Sequence, residues 1–179
     1  VLAGCAEQTS QLDTGTVLSP GEELTIGSRF ADFEFTDNQC KTRSFTSFRG
    51  QFTIIAFTSC DQEYSPAVTH LADLVAEKSN ADVRVAGVDV FRTLQATDTA
   101  ETCAALPEYG NENFLAVHDH NNTIRNRYGV KQDGRYFIID HLGKIVDKGD
   151  IQNVDELRDT LDCMIKDYLD SRKIFEREM

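Results

Sequence analysis

Residues 51–60, Gln51-Phe52-Thr53-Ile54-Ile55-Ala56-Phe57-Thr58-Ser59-Cys60, form a near-continuous apolar and β-branched run that stops at a cysteine. Such a run marks a strand buried on both faces at the centre of a sheet. Asp61-Gln62-Glu63-Tyr64 follow, then Ser65-Pro66, a helix start with serine as cap and proline in the first helical position. Val68, Leu71, Leu74 and Val75 recur at helical spacing out to Lys78. From Asp82 to Phe91 the pattern alternates through Val83, Val85, Val88 and Val90, a second strand. Strand, helix and strand in that order form a βαβ unit, which requires a parallel core. Cys60 is placed where the buried strand hands over to the helix.

Downstream, Thr99 to Tyr109 reads as a helix, Asn113 to His118 as a strand, and Asn122 to Tyr128 as a short helix closed by Gly129. Tyr136–Asp140 and Lys144–Asp147 form a hairpin turning at His141-Leu142-Gly143, which adds antiparallel strands. A last helix starts at Asn153, with Glu156 completing a capping box and one apolar face through Val154, Leu157, Leu161, Ile165 and Leu169. Upstream, Phe30, Phe33 and Phe35 read as strand, and Asp37-Asn38 marks a turn. The expected fold is α/β: a central mixed β-sheet flanked by helices, with an N-terminal β-extension and a long C-terminal helix. Residues 28–179 make one domain, and residues 1–27 a polar tether.

The 30 acidic residues outnumber the 18 Lys and Arg, giving a net charge of −12. An acidic surface repels phosphate backbones, so nucleic acid is excluded as a partner, and docking of the protein body on anionic lipid is disfavoured. No apolar run approaches the ~18 residues that a membrane helix needs. Leu2-Ala3-Gly4-Cys5, followed by a polar stretch, resembles the lipobox at the end of a bacterial lipoprotein signal peptide. That resemblance implies a lipid on Cys5 and a lipid-anchored protein on the periplasmic or extracellular face of the cell envelope, where disulfides persist.

The order of elements, with four local phrases, resembles the thioredoxin-like superfamily. The phrases are Ser47-Phe48-Arg49-Gly50-Gln51, Ala56-Phe57-Thr58-Ser59-Cys60, Tyr128-Gly129-Val130, and Phe137-Ile138-Ile139-Asp140 with Gly143-Lys144-Ile145. The relevant branch holds TlpA- and ResA-type thiol-disulfide oxidoreductases, AhpC/TSA peroxiredoxins and Sco copper proteins. The resemblance implies a thioredoxin-like fold with Cys60 at its reactive position. It also exposes departures. The oxidoreductases use Cys-x-x-Cys, one thiol to attack and one to resolve, whereas Asp61-Gln62-Glu63 follow Cys60. Their cis-proline position falls at about Gly134. Peroxiredoxins carry a threonine three residues before the cysteine and an arginine on a later strand. Here Phe57 holds the first position with Thr58 beside it, and Arg135 lies one residue out of register for the second. Sco proteins hold copper with a second cysteine, near Ser65 here, and a histidine that has no counterpart around Gln132. No metal or cofactor is expected.

The candidate site residues are therefore Cys60 as attacking thiol, Thr58 and Arg135 as its companions, and Cys103 as a resolving thiol. A helix N-terminus lowers the pKa of Cys60, while Asp61 and Glu63 raise it. Cys40 and Cys163 complete the set; with Cys5 lipidated, the remaining four cysteines allow three pairings. His118-Asp119-His120 could turn two imidazoles to one side of a strand, but no third ligand accompanies them. Tyr168, Ile174 and Phe175 keep the acidic last helix apolar beyond the usual end of the fold, as a docking helix would. Two functions follow. One is a thiol-based redox protein acting on a protein disulfide or a peroxide. The other is a redox-silent module that binds a protein or membrane complex at the membrane surface.

Overall fold

All eight residues of the strand Phe52–Ser59 are buried, as a central strand demands. The computed structural model describes residues 24–30, 32–37, 41–59, 65–92 and 108–178. In chain order its elements are β1 (Glu34–Thr36), β2 (Thr42–Ser44), β3 (Phe52–Ser59), α1 (Ser65–Lys78), β4 (Val85–Arg92), β5 (Phe114–His118), α2 (Thr123–Arg127), β6 (Arg135–Ile139), β7 (Ile145–Asp150) and α3 (Val154–Glu178). The main sheet runs β5-β4-β3-β6-β7, with β4 parallel to β3, β5 parallel to β4, β6 antiparallel to β3 and β7 antiparallel to β6. This is the mixed thioredoxin-like sheet that the sequence pattern predicts.

Alternation along β3 divides the core in two. Ile55 and Phe57 join Val88, Val90, Phe137 and Ile139 on one face, under α2 and the N-terminal segment. Ile54 and Ala56 join Val85, Phe114 and Ile138 on the other, under α1 and α3. The N-terminal segment is held to the first face by rings: Phe30 stacks on Tyr128 with centroids 4.4 Å apart, and Phe33 stacks on Phe45 at 5.2 Å. The same segment bridges to the margins of the sheet, with Arg29 paired to Lys144 and Asp37 to Val117. On the second face, α1 and α3 are clipped together by Lys78–Asp162 and Arg158–Glu77 ion pairs, both 2.7 Å.

Boundaries differ from the sequence reading in places, with β7 running on to Asp150, past the expected end at Asp147. The second strand begins at Val85, because Asn80 Oδ1 accepts the N–H groups of Asp82 and Val83 and closes a turn there. The expected helix from Thr99 to Tyr109 lies outside the described residues, except for Glu108 and Tyr109, which are not helical.

One close approach prepares the site. Gly87 of β4 pairs with Phe114 of β5, and a Cβ on Gly87 would lie 2.1 Å from the Phe114 ring. The bare backbone lets that ring lie over β4, and Tyr109 stands edge-on against it with centroids 5.0 Å apart. Glycine inside a strand normally costs stability relative to alanine. Here overpacking outweighs that gain, so Gly87→Ala is expected to destabilise by about 1–3 kcal/mol. Phe114→Leu in the same chain should recover part of the loss in urea unfolding. A Gly87→Ala protein as stable as the parent would contradict this packing.

Candidate functional site

The carboxyl-terminal ends of β3 and β4 lie side by side, with Ala56 opposite Asp89, Thr58 opposite Phe91 and Ser59 opposite Arg92. Cross-strand partners share a face, so Thr58 and Asp89 both present their side chains on the α1 side. Asp89 is fully buried there. Thr58 Oγ1 donates to Asp89 Oδ1 at 2.6 Å, and the Tyr109 hydroxyl donates to Oδ2. Burial pushes the Asp89 carboxyl up to about 6, against the pull of those two hydrogen bonds and of the Arg125 charge. Desolvation wins, and a carboxyl with a near-neutral pKa results. The same burial, with the Asp89 charge beside it, pushes the Tyr109 phenol well above its ordinary value.

Arg125, only 3% exposed, caps the strand ends from α2. Its guanidinium donates to the Thr58 carbonyl and, at 3.4 Å, to that of Val90, and lies over the Phe57 ring. Asp133 stands 2.7 Å from Arg125 Nη1 and also pairs with Arg92. Asp119 accepts the backbone N–H groups of Ile124 and Arg125, which fixes the start of α2, and faces Arg125 Nε at 3.7 Å. Burial pushes the Asp119 carboxyl up and the Arg125 guanidinium down, with the neighbouring charges opposing both shifts. A buried guanidinium survives only if paired, and here two carboxylates and two carbonyls surround it.

The loop before β6 completes this end of the sheet. Gly134 N donates to the Phe57 carbonyl and Ile151 N to the Gly134 carbonyl, each at 2.8 Å. Gly134 adopts φ +78°, which favours glycine at the position where the resemblance puts a proline, and every peptide bond among the described residues is trans.

Residues 26–148 match the sequence profile of the AhpC/TSA family. The chain belongs to the AhpC/TSA family. No curated protein sequence matches it. Solved structures agree on the fold. A protein disulfide isomerase candidate from Bacteroides thetaiotaomicron is similar at 23% identity and a TM-score of 0.62, over 83% of this chain and 95% of that one. A peroxiredoxin-like protein from Aquifex aeolicus gives 15% and 0.60, over 79% and 88%. The exposed lipoprotein thioredoxin of Streptococcus pneumoniae gives 19% and 0.52, over 73% and 99%. At these identities the likeness shows the thioredoxin-like fold alone.

In this AhpC/TSA chain the sequence-derived residues fall in different places. Cys60 follows Ser59 directly in sequence but lies outside the described residues, as do Cys5, Cys40 and Cys103. Thr58 is in the buried cluster, with its hydroxyl committed to Asp89. Arg135 opens β6 opposite Phe57 and therefore belongs to the other face of the sheet from the Thr58 hydroxyl. Cys163, half-buried on α3, is disulfide-bonded. His118 ends β5 and Asp119 caps α2; no group of three His, Cys, Asp or Glu able to hold a metal exists among the described residues. Asp89, Tyr109 and Arg125 were not singled out from the sequence. The available signal was an acid inside the apolar strand Val85–Val90; Arg125 gave none beyond its place beside Ile124.

The raised pKa of Asp89 fixes the sign of a pH effect. The folded state holds this proton more tightly than the unfolded state, where the pKa is about 3.9. Its contribution to stability is therefore present below about pH 4 and is lost as pH rises towards 6, by up to ~1.4 kcal/mol per pH unit. Asp89→Asn should lack this decline, so the stability difference between variant and parent should shift in favour of Asn across that window. Parallel curves in urea unfolding would contradict the assignment.

Proposed function

We propose that the protein is an envelope thiol redox protein whose Cys60 attacks a disulfide. The observation that carries this reading is the buried Thr58–Asp89–Tyr109 cluster at the end of β3, two residues before Cys60 in sequence. Burying a carboxyl under a helix costs stability, and such groups cluster where protons must be exchanged.

In the proposed step the Cys60 thiol gives up its proton and its thiolate sulfur attacks one sulfur of the substrate disulfide. The substrate S–S bond breaks, a mixed disulfide to Cys60 forms, and the departing thiolate takes a proton. A second thiolate, from Cys103 or from an external protein, then attacks the Cys60 sulfur; the bond to the substrate breaks, the substrate leaves as a thiolate that takes a proton, and the new disulfide to Cys60 is returned to thiols by an external dithiol reductant. A disulfide is favoured over a peroxide because the Thr58 hydroxyl is committed to Asp89 and Arg135 belongs to the other face. Membrane attachment through a lipid on Cys5 rests on Leu2-Ala3-Gly4-Cys5 and the polar tether after it.

A second reading, a redox-silent docking module, draws on one observation: Ile174 and Phe175 at the end of α3 are 59% and 64% exposed. Alkylation of Cys60 across pH, followed by peptide mass spectrometry in the parent and in Cys103→Ser, separates the two. The redox reading expects a thiol pKa below the free value of about 8.5 and a mixed disulfide trapped with a model disulfide in Cys103→Ser. A pKa at or above that value, with no trapped adduct, leaves the module.

A further inference from the structure

A buried carboxyl can change its protonation state only if a proton can reach it. The cross-strand neighbours of Asp89, Ala56 on β3 and Ala116 on β5, are themselves buried. Thr58, which donates to Oδ1, is 2% exposed, so its hydroxyl lies on the dry side of the carboxyl. Tyr109, which donates to Oδ2, differs: its residue is half-buried and stands between two exposed neighbours, Glu108 and Gly110. Of the two side chains bonded to Asp89, Tyr109 is therefore the one with real contact with water. Its ring is also held firmly. Phe114 stands edge-on against it, and Asn111, two residues on, donates from Nδ2 to the Ala72 carbonyl of α1 at 2.8 Å.

We propose that Tyr109 is the residue through which the buried Asp89 carboxyl exchanges its proton with solvent, a positioning residue that resets this acid. In the inward step the phenol passes its hydroxyl proton to Asp89 Oδ2 while its oxygen takes a proton from a hydronium ion. The old Tyr O–H bond breaks, an O–H bond to Asp89 forms, and a new Tyr O–H bond replaces the first. The reverse sequence returns the proton to water. Burial and the Asp89 charge hold the phenol well above its ordinary pKa, so a free phenolate is excluded and the two transfers occur together. Arg125 acts on Asp89 through its charge and makes no hydrogen bond to it. The use of this route in turnover rests on the redox reading above, in which the carboxyl must take up and release a proton. The route itself is read without Cys60.

The test is carbon-13 NMR of the Asp89 side-chain carboxyl in the full chain, followed across its titration. The parent should show one resonance that moves with pH, the mark of fast exchange. Tyr109→Phe should show two resonances that trade intensity, with exchange slowed by about a hundredfold, the low end of what a positioned proton donor contributes. A merely structural hydroxyl would change stability without changing this rate. Thr58→Val, which removes the hydroxyl on the dry side, should keep the single moving resonance. That variant still decides if Tyr109→Phe does not fold, because two resonances in it would overturn the proposal. Exchange in Tyr109→Phe that is unchanged or faster than in the parent overturns it as well, since the phenol would then be only a cover. The measurement needs no reaction at Cys60, so its failure and that of the redox reading are distinguishable.

Discussion

Asp89 is an ionisable side chain with no access to water, and the end of the sheet is arranged around keeping it. Its two oxygens take hydrogen bonds from Thr58 and Tyr109. Each donor is supplied by a different part of the chain: one by the neighbouring parallel strand, the other by the residue before the turn into β5. An unsatisfied buried carboxylate would cost several kcal/mol, so β3, β4 and Tyr109 are bound to a single relative arrangement. The missing side chain of Gly87 belongs to the same constraint. It allows the Phe114 ring to pack over β4, and that ring positions Tyr109.

Arg125 plays the complementary part from the opposite face. The guanidinium reaches the carbonyls of Thr58 and Val90 near the ends of their strands. Asp133 and Asp119 balance its charge. A carboxyl poised near neutrality and a fixed positive charge thus flank the segment that runs into Cys60. The arrangement differs from the constellation that the family resemblance suggests, since Arg135, the expected arginine, belongs to the wrong face for Thr58.

Much of this fold was legible because it rests on periodicity. The apolar run from Phe52 to Ser59, the helical spacing after Pro66 and the hairpin around Gly143 each follow from burial on two faces, one face or none. The site was less legible, because its partners meet through register. Nothing local joins Thr58 to Asp89, 31 residues on, or Arg125 to the Thr58 carbonyl, 67 residues back. The acid within Val85–Val90 was visible, but its partners depend on which strands become neighbours. Arg125 in a five-residue helix had no periodic signal at all.

Membership of the AhpC/TSA family gives the scaffold, while activity depends on what stands at the end of β3. The most direct test is an NMR titration of the Asp89 side-chain carboxyl carbon, before and after alkylation of Cys60. The account predicts a midpoint near 6, displaced when Cys60 is modified, because the proposed function couples the Asp89 proton to the Cys60 thiol. A midpoint near the ordinary aspartate value of about 3.9, or one indifferent to the state of Cys60, would contradict it.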